Sequence, residues 1–451
     1  MHDYRQALHM LRDAPFALLL AARTLAMLAI AFAPVALAFG ILDLPGATPS
    51  TLSVVLASEA IVLVLFTLVG GVVADRLPRP RVLMTAESVN AAAHAALAAM
   101  LVTGTAPTWG LAVAAAVSGA GSAMVWPALT GIIPDVVAPE RLQQGNALIS
   151  LGGNIARVGG LVAGGAVVVA IGGGWALATA AAMFAVAGVL TGLLGRRMST
   201  PAAHAEGHPA AGAVAAGGAV APPAQEPAKA SVFADLKGGW NEFRSRQWLW
   251  VVVLQFSFMV LVWQAAHGVL GPVVAKQELG GARAWTAVLT GEALGLVLGV
   301  IVAMRIRPRR PILVGTLLTF GAAPPYVLLG VGAPLWSVVA AAFVMGVCFD
   351  MFGILWQTTL QRSVPAEALS RVSSYDALGS LMLGPIGLML AGPAAMWFGP
   401  HSALVACGIV MTLTTVAALC APGVRQLTAP PLTPTVTPTR TPPQADPAVL
   451  G

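Results

Sequence analysis

The sequence predicts an all-α membrane protein with twelve transmembrane helices in two parallel six-helix pseudo-repeats. Three observations carry this expectation. First, the 451-residue chain is 57% hydrophobic and only 9% charged, with a mean hydropathy of +0.83. Soluble domains carry roughly 25% charged residues, and a soluble fold needs polar cover that this chain lacks. Second, uninterrupted apolar runs of about twenty residues, enough to cross about 30 Å of hydrocarbon as helix, recur twelve times. Third, the two halves of the chain match each other in one register. Membrane β-strands would alternate over about ten residues instead.

The runs come in order, each bounded by Gly, Pro or charge. They cover 14–40, 51–74, 82–103, 108–133, 146–171 and 173–195 in the first half. The second half gives 248–274, 284–305, 311–331, 335–361, 372–395 and 399–422. The first run follows Arg5 and Arg12, and "ALA" at 36–38 resembles a secretory cleavage site. The run is too long for a leader's apolar core, so it is expected to remain as a span. Orientation follows from the basic residues. With the N-terminus cytoplasmic, twenty of the 24 Lys and Arg fall in cytoplasmic segments. Arg23 and Arg157 lie inside spans, and Lys276 and Arg283 alone fall outside. This positive-inside bias puts both termini in the cytoplasm and the chain in the plasma membrane as a multi-pass protein. It also explains the net charge of +6 without nucleic acid.

The domain boundaries follow: 1–195 and 248–422 are the six-helix halves. Between them, 196–247 is a cytoplasmic linker. Its Ala/Gly/Pro-rich part (201–228) has the composition of a disordered segment. Within 231–246, Phe233, Leu236, Trp240 and Phe243 share one helical face, as in an interfacial amphipathic helix; a kinked extension of the seventh span is the alternative. The Pro/Thr-rich tail, 423–451, is expected to be disordered. The three cysteines lie in apolar runs without metal-type spacing, so neither a disulfide framework nor a metal site is expected. No Walker lysine motif occurs, and no clustered nucleophile or acid pair suggests an enzyme; no cofactor is expected.

The repeat is explicit. At an offset of 227, Gly119, Met124, Val137, Glu140, Leu142, Leu151, Gly152, Gly160, Leu161 and Gly165 meet identical residues at 346, 351, 364, 367, 369, 378, 379, 387, 388 and 392. The fourth and fifth spans therefore correspond to the tenth and eleventh. An even number of spans separates them, so the repeats are parallel, with a cavity expected between them. A weaker echo at an offset of 228 aligns Gly71, Arg79, Pro80 and Arg81 with Gly299, Arg307, Pro308 and Arg309; Asp75 meets Ala303.

"GGVVADRLPRPR" resembles the loop 2–3 signature of the major facilitator superfamily, G-x-x-x-D-R-x-G-R-R. Gly71, Asp75, Arg76 and Arg79 match, with Pro78 and Pro80 in place of a glycine and a basic residue. The segments 136–165 and 355–380 resemble those of the branch containing enterobactin exporters and macrolide-efflux proteins. "GLVAGG" (160–165) is similar to the antiporter signature of the fifth span, with Leu161 where proline is usual; the fourth span has no arginine. The resemblance implies a monomeric secondary transporter that exports a hydrophobic or amphipathic small molecule, such as a drug, antibiotic or siderophore. Proton antiport is the expected energy source. Nutrient uptake on the same fold, and a membrane sensor that moves nothing, are the alternatives. The resemblance further implies that spans 1, 2, 4, 5, 7, 8, 10 and 11 surround the cavity, and that Asp75 faces the start of the eleventh span near Arg371.

An ionisable residue inside the bilayer costs roughly 2.5–3.5 kcal/mol on insertion scales and tends to face a cavity or a partner. Glu59, Asn154, Arg157, Gln264, His267, Glu292, Asp350 and Gln357 are the expected substrate or ion pathway. Arg157 could equally serve to neutralise a neighbouring acid. Glu87, Asn90 and His94 share a face of the third span and read as a local polar group. Arg23, Gly71, Asp75, Arg76, Arg79, Arg371 and Asp376 form the expected cytoplasmic gate. Gly160, Gly164 and Gly165 are spaced for close helix packing. Trp109, Trp175, Trp248 and Trp336 read as interface anchors. Trp126, Trp263 and Trp356 are candidates for an aromatic wall, with ordinary packing as the alternative.

Overall fold

With no water in the hydrocarbon to satisfy backbone N–H and C=O groups, apolar runs of this length must close their hydrogen bonds internally, as helices. The computed structural model has that form. It describes residues 10–138, 141–198 and 240–428; the side chains of 68–76, and of several positions within 126–147 and 366–374, lie outside the description. The first half comprises α1 (Ala14–Leu42), α2 (Pro49–Arg76), α3 (Arg79–Thr103), α4 (Thr108–Val136), α5 (Leu142–Ile171) and α6 (Gly173–Met198). The second comprises α7 (Gln247–Glu278), α8 (Ala282–Ala303), α9 (Pro311–Gly330), α10 (Leu335–Ser363), α11 (Ala366–Leu381 and Gly384–Phe398) and α12 (Pro400–Cys420). Eleven of these segments are long and apolar enough to cross a membrane. The twelfth, α3, has the length but carries Glu87, Asn90 and His94, all buried.

The repeat seen in the sequence is geometric. α4 and α10 each start after a proline (Pro107, Pro334) and end before an extended valine (Val137, Val364). α5 and α11 each turn into the next helix through one left-handed glycine, Gly172 (φ +83°) and Gly399 (φ +81°), a conformation that penalises any Cβ. The close approaches of glycine to backbone also come in pairs. A Cβ on Gly160 would lie 2.6 Å from the Leu28 carbonyl oxygen of α1, and one on Gly387 would overlap that of Leu261 in α7. Gly119 lies against the Glu59 carbonyl of α2, as Gly346 lies against that of Glu292 in α8. Leu28 and Leu261, like Glu59 and Glu292, are 233 residues apart, so the first two helices of each half keep an offset of 233. The echo at offset 228 is out of this register. α2 runs on to Arg76, whereas α8 stops at Ala303 and a longer loop leads to α9.

The halves meet toward the end of the bundle poor in arginine. There, Gly165 of α5 packs on Thr286 of α8, and Gly392 of α11 packs on Ser50 and Ser53 of α2. Lys276 at the end of α7 pairs with Asp43 after α1 at 2.7 Å and also donates to the Leu42 carbonyl. One hydrophobic core crosses both halves at this end, from Phe32, Ile41 and Leu52 to Met259, Val269 and Leu404. Toward the arginine-rich end the core divides. Phe16, Val82, Ile132 and Leu194 form a cluster within the first half, and Trp248, Phe352, Trp356 and Val372 form another within the second. Among the described residues the halves are thus joined at one end and parted at the other.

One expectation changes here. Trp248, expected at the interface, is buried edge-to-face on Trp356 at 5.5 Å. Trp109, Trp175 and Trp336 are exposed at helix ends. Of the amphipathic segment, the residues before 240 lie outside the described residues, as do 199–228 and the tail from 429. From 240 to 245 the chain is helical, and Trp240 and Phe243 both pack on Tyr375 of α11. Arg246 breaks the helix before α7 and caps the corner through its 2.6 Å pair with Glu242.

Candidate functional site

Two glutamates at equivalent positions define the site. Glycine opposite each lets α2 and α4, or α8 and α10, touch backbone to backbone, which fixes the glutamate at one depth. The chemistry around the two carboxylates then differs. Residue 118, beside Gly119, is serine; residue 345, beside Gly346, is Met345. Glu59 accepts a hydrogen bond from Ser118 at 3.2 Å. Ser118 also lies 3.1 Å from Asn90 Oδ1 of α3, which Ser122 approaches to 3.2 Å.

Glu292 faces aromatic rings instead. α7 contains a π-helical turn at Ala266–Leu270, a bulge of the kind often found at functional positions. His267 sits in it. Its ring stacks on Trp263 with centroids 4.7 Å apart and meets the edge of Trp285 at 5.6 Å. His267 Nδ1 is 3.1 Å from the Tyr326 hydroxyl of α9 and 3.6 Å from Glu292 Oε2. A neutral ring with a bare Nδ1 accepts from Tyr326; a protonated ring lies within ion-pair range of Glu292. Carboxylate, imidazole, phenol and two indoles therefore converge in one place. Across the gap, Arg157 of α5 is the opposite charge acting on both Glu292 and Asp350. Arg157 and Asn154, one turn earlier, are exposed, and so is Gln357. Asp350 Oδ2 is buried without a partner, and the Asp350 Cβ lies against Gly299. Gln264 faces Gly384 of α11.

The expected gate residues divide. Arg23 is buried inside the first half, where its opposite charge is the buried Glu87 of α3. Asp376 is buried inside the second half, accepting from Trp356 Nε1 at 3.0 Å and Ser380 at 3.4 Å. Arg79 pairs with Asp135 of α4 at 2.9 Å. The side chains of Gly71, Asp75, Arg76, Arg371 and Trp126 lie outside the described residues. Gly160 and Gly164 pack on α1, and Gly165 packs on the other half. Trp356 belongs to the core.

Sequence reasoning missed Ser118, Tyr326 and Trp285. Tyr326 is one of only three tyrosines, set in an apolar run, and that scarcity was an available signal. Ser118 and Trp285 carried none, because their roles depend on which face each helix turns inward.

The family model described as Major Facilitator Superfamily matches residues 16–379. The multidrug efflux pump Tap of Mycolicibacterium fortuitum is 31% identical over 143 residues, which is 31% of this chain and 34% of that protein. The match thus spans about a third of that relative. The nucleoside transporter NupG superposes with a TM-score of 0.67 at 12% identity, over 92% of this chain and 99% of that one. A bacterial homologue of the human lysosomal transporter Spinster, solved inward-facing and unoccupied, gives 0.65 at 16% identity, over 91% and 97%. A POT family transporter gives 0.66 at 12%, over 90% and 95%. At these identities the three structures speak to the fold alone.

Proposed function

Because the chain belongs to the major facilitator superfamily of transporters, we propose that it exports a hydrophobic or amphipathic small molecule by proton antiport, rocking its two halves about a central site. The observation that carries this reading is the cluster of His267, Glu292, Tyr326, Trp263 and Trp285 facing Arg157 of the other half. Indole faces attract organic cations and stack on flat rings. A carboxylate beside them can bind the cationic part of a substrate or, once protonated, release it. The partial match to a multidrug efflux pump supports the direction and the substrate class. Antibiotics of the macrolide type and siderophores are the first candidates.

In this reading the arginine-rich end is cytoplasmic, both termini lie there, and the protein works as a monomer in the plasma membrane. The parted cores at that end then correspond to an inward-open state. Lys276–Asp43 and the Gly165–Thr286 and Gly392–Ser53 contacts would be the outer closure. Asp75, by its sequence motif, would latch the opposite end against the start of α11. Asp75→Asn should then slow turnover without abolishing binding.

The test is accumulation of a fluorescent amphipathic cation in cells and everted vesicles, with and without an imposed pH gradient. Export that follows the gradient and is lost in Glu292→Gln supports the reading. Full transport by Glu292→Gln and Asp350→Asn would remove the assigned site. Accumulation in the opposite direction would indicate uptake, and gradient-independent flux would remove antiport.

A further inference from the structure

Ser118 has one hydroxyl proton and two acceptors. Its Oγ lies 3.2 Å from Glu59 Oε1 and 3.1 Å from Asn90 Oδ1, on different helices. Both distances exceed the about 2.7–2.8 Å usual for an O–H···O bond, as fits a hydroxyl placed between two sites. It can donate to only one at a time. Which one it chooses depends on Glu59. An ionised carboxylate is acceptor-only and makes the stronger, charge-assisted bond, so it takes the serine proton. A protonated Glu59 is itself a donor. It gives its O–H to Ser118 Oγ, and the serine proton turns to Asn90 Oδ1.

We infer that Glu59 is a proton-binding site of the first half, and that Ser118 passes its state to α3 through Asn90. One proton taken from the aqueous phase onto Glu59 Oε1 reverses the Glu59–Ser118 hydrogen bond and frees the serine proton to form a second one, to Asn90 Oδ1. The new O–H on Glu59 is the sole covalent change. Ionised, the chain ties α4 to α2; protonated, it runs from α2 through α4 to α3. Ser118 and Asn90 are each 1% exposed, so water does not compete there. The backbone contact between Glu59 and Gly119 holds the helices in place, which leaves the hydrogen bonds as the part that responds.

The neighbouring charged groups have other partners. From α3, His94 Nδ1 lies 2.9 Å from the Asn90 carbonyl, and its ring packs on Phe184. Glu87 faces Arg23 of α1. On α4, Asp135 pairs with Arg79. From α7, His267 faces Tyr326 and Glu292. On α11, Asp376 accepts from Trp356. In the second half the reversal is unavailable, because Met345 stands where Ser118 would be. The repeat thus separates a proton site in one half from the aromatic cluster in the other. This inference rests on the proton-coupled reading and sharpens it.

Infrared titration of the whole protein in lipid nanodiscs tests it with protons alone. The protonated-carboxyl band that disappears in Glu59→Gln reports Glu59. Ser118→Ala removes the donor to the ionised form, so the midpoint of that band should move to higher pH by about one unit. Asn90→Ala removes the acceptor used by the protonated form, so the midpoint should move to lower pH. Ser118→Thr should restore the wild-type midpoint. Packing damage alone would not shift the two variants in opposite directions. Equal or absent shifts, or no Glu59 band between pH 4 and 10, would overturn the inference. An intact titration with gradient-independent transport would instead overturn antiport and leave the switch standing.

Discussion

Alanine at Gly119 or Gly346 should push apart the helix pairs that carry the two glutamates. The added Cβ would lie 2.3 Å from the Glu59 carbonyl oxygen in the first case and 2.2 Å from that of Glu292 in the second. Such contacts must open by about 1 Å before ordinary van der Waals distances are reached, and a gap of that size forfeits a quarter to a half of the dispersion well at each lost contact. The obstructing atoms are helical backbone, which cannot turn aside as a side-chain tip can. The expected cost is about 1–3 kcal/mol, the usual range for overpacking. Gly353, on the same helix as Gly346, supplies the control, because a Cβ there meets nothing within 4 Å. Gly353→Ala should be neutral or gain up to about 1 kcal/mol from helix propensity. The assay is thermal unfolding of the purified protein followed by intrinsic tryptophan fluorescence. Gly119→Ala and Gly346→Ala should each lower the Tm by several degrees, and by similar amounts, since the two contacts are equivalent. Wild-type melting of both, or equal losses in all three variants, would refute the steric argument.

Three further outcomes follow from particular contacts. Asp43→Ala removes the ion pair joining the halves and leaves Lys276 its bond to the Leu42 carbonyl. With the lysine and aspartate side chains 34% and 59% exposed, the pair contributes under about 1 kcal/mol. The population open at the arginine-poor end should therefore rise by no more than about fivefold, read by spin-label distances and mimicked by high salt; a larger shift would mean that other contacts fail with it. Trp356→Phe leaves the buried Asp376 with only its 3.4 Å contact to Ser380. It should cost about 1.5–3 kcal/mol, and the loss should be much smaller in an Asp376→Leu background, as a double-mutant cycle would show. Gln255→Leu should stay within about 1 kcal/mol of wild type. Its amide nitrogen bonds Thr319 and Thr415, but those threonines keep each other at 3.0 Å, and the buried Gln255 Oε1 has no partner to lose.

The fold was legible because the solvent simplifies the code. In hydrocarbon an apolar run of sufficient length has one way to satisfy its backbone, so run limits and helix limits nearly coincide. The run 248–274, for example, became Gln247–Glu278. The weakest span in the sequence, α3, is weak for a physical reason: its polar residues turn into the bundle rather than toward lipid. The repeat register changes along the chain, and the single offset of 227 captures one part of it. The offset of 227 holds from Pro107 to Gly172, where identical turn and packing residues meet. The offset of 233 between the first two helices of each half is also written in residue identity, since Val55, Leu56, Glu59, Ala60, Leu63, Val64 and Leu65 meet identical residues at 288, 289, 292, 293, 296, 297 and 298, but a change of offset along the repeat hides these matches from any single register.

The site was half legible. Intramembrane carboxylates and His267 stand out in the sequence because their desolvation is costly. Their partners do not, because a serine, a tyrosine or a tryptophan in a span costs little and is common. By itself the sequence determined the membrane class, the twelve spans, the two parallel halves and the candidate charges, all of which follow from composition, run length and spacing. The tertiary structure decided how those charges are shared. It turned Arg23 and Glu87 toward each other inside one half, placed Ser118 between Glu59 and Asn90, and set Glu292 among aromatic rings. These outcomes depend on helix rotation and on residues far apart in the chain approaching within about 3 Å, the range of a hydrogen bond, which no local pattern encodes.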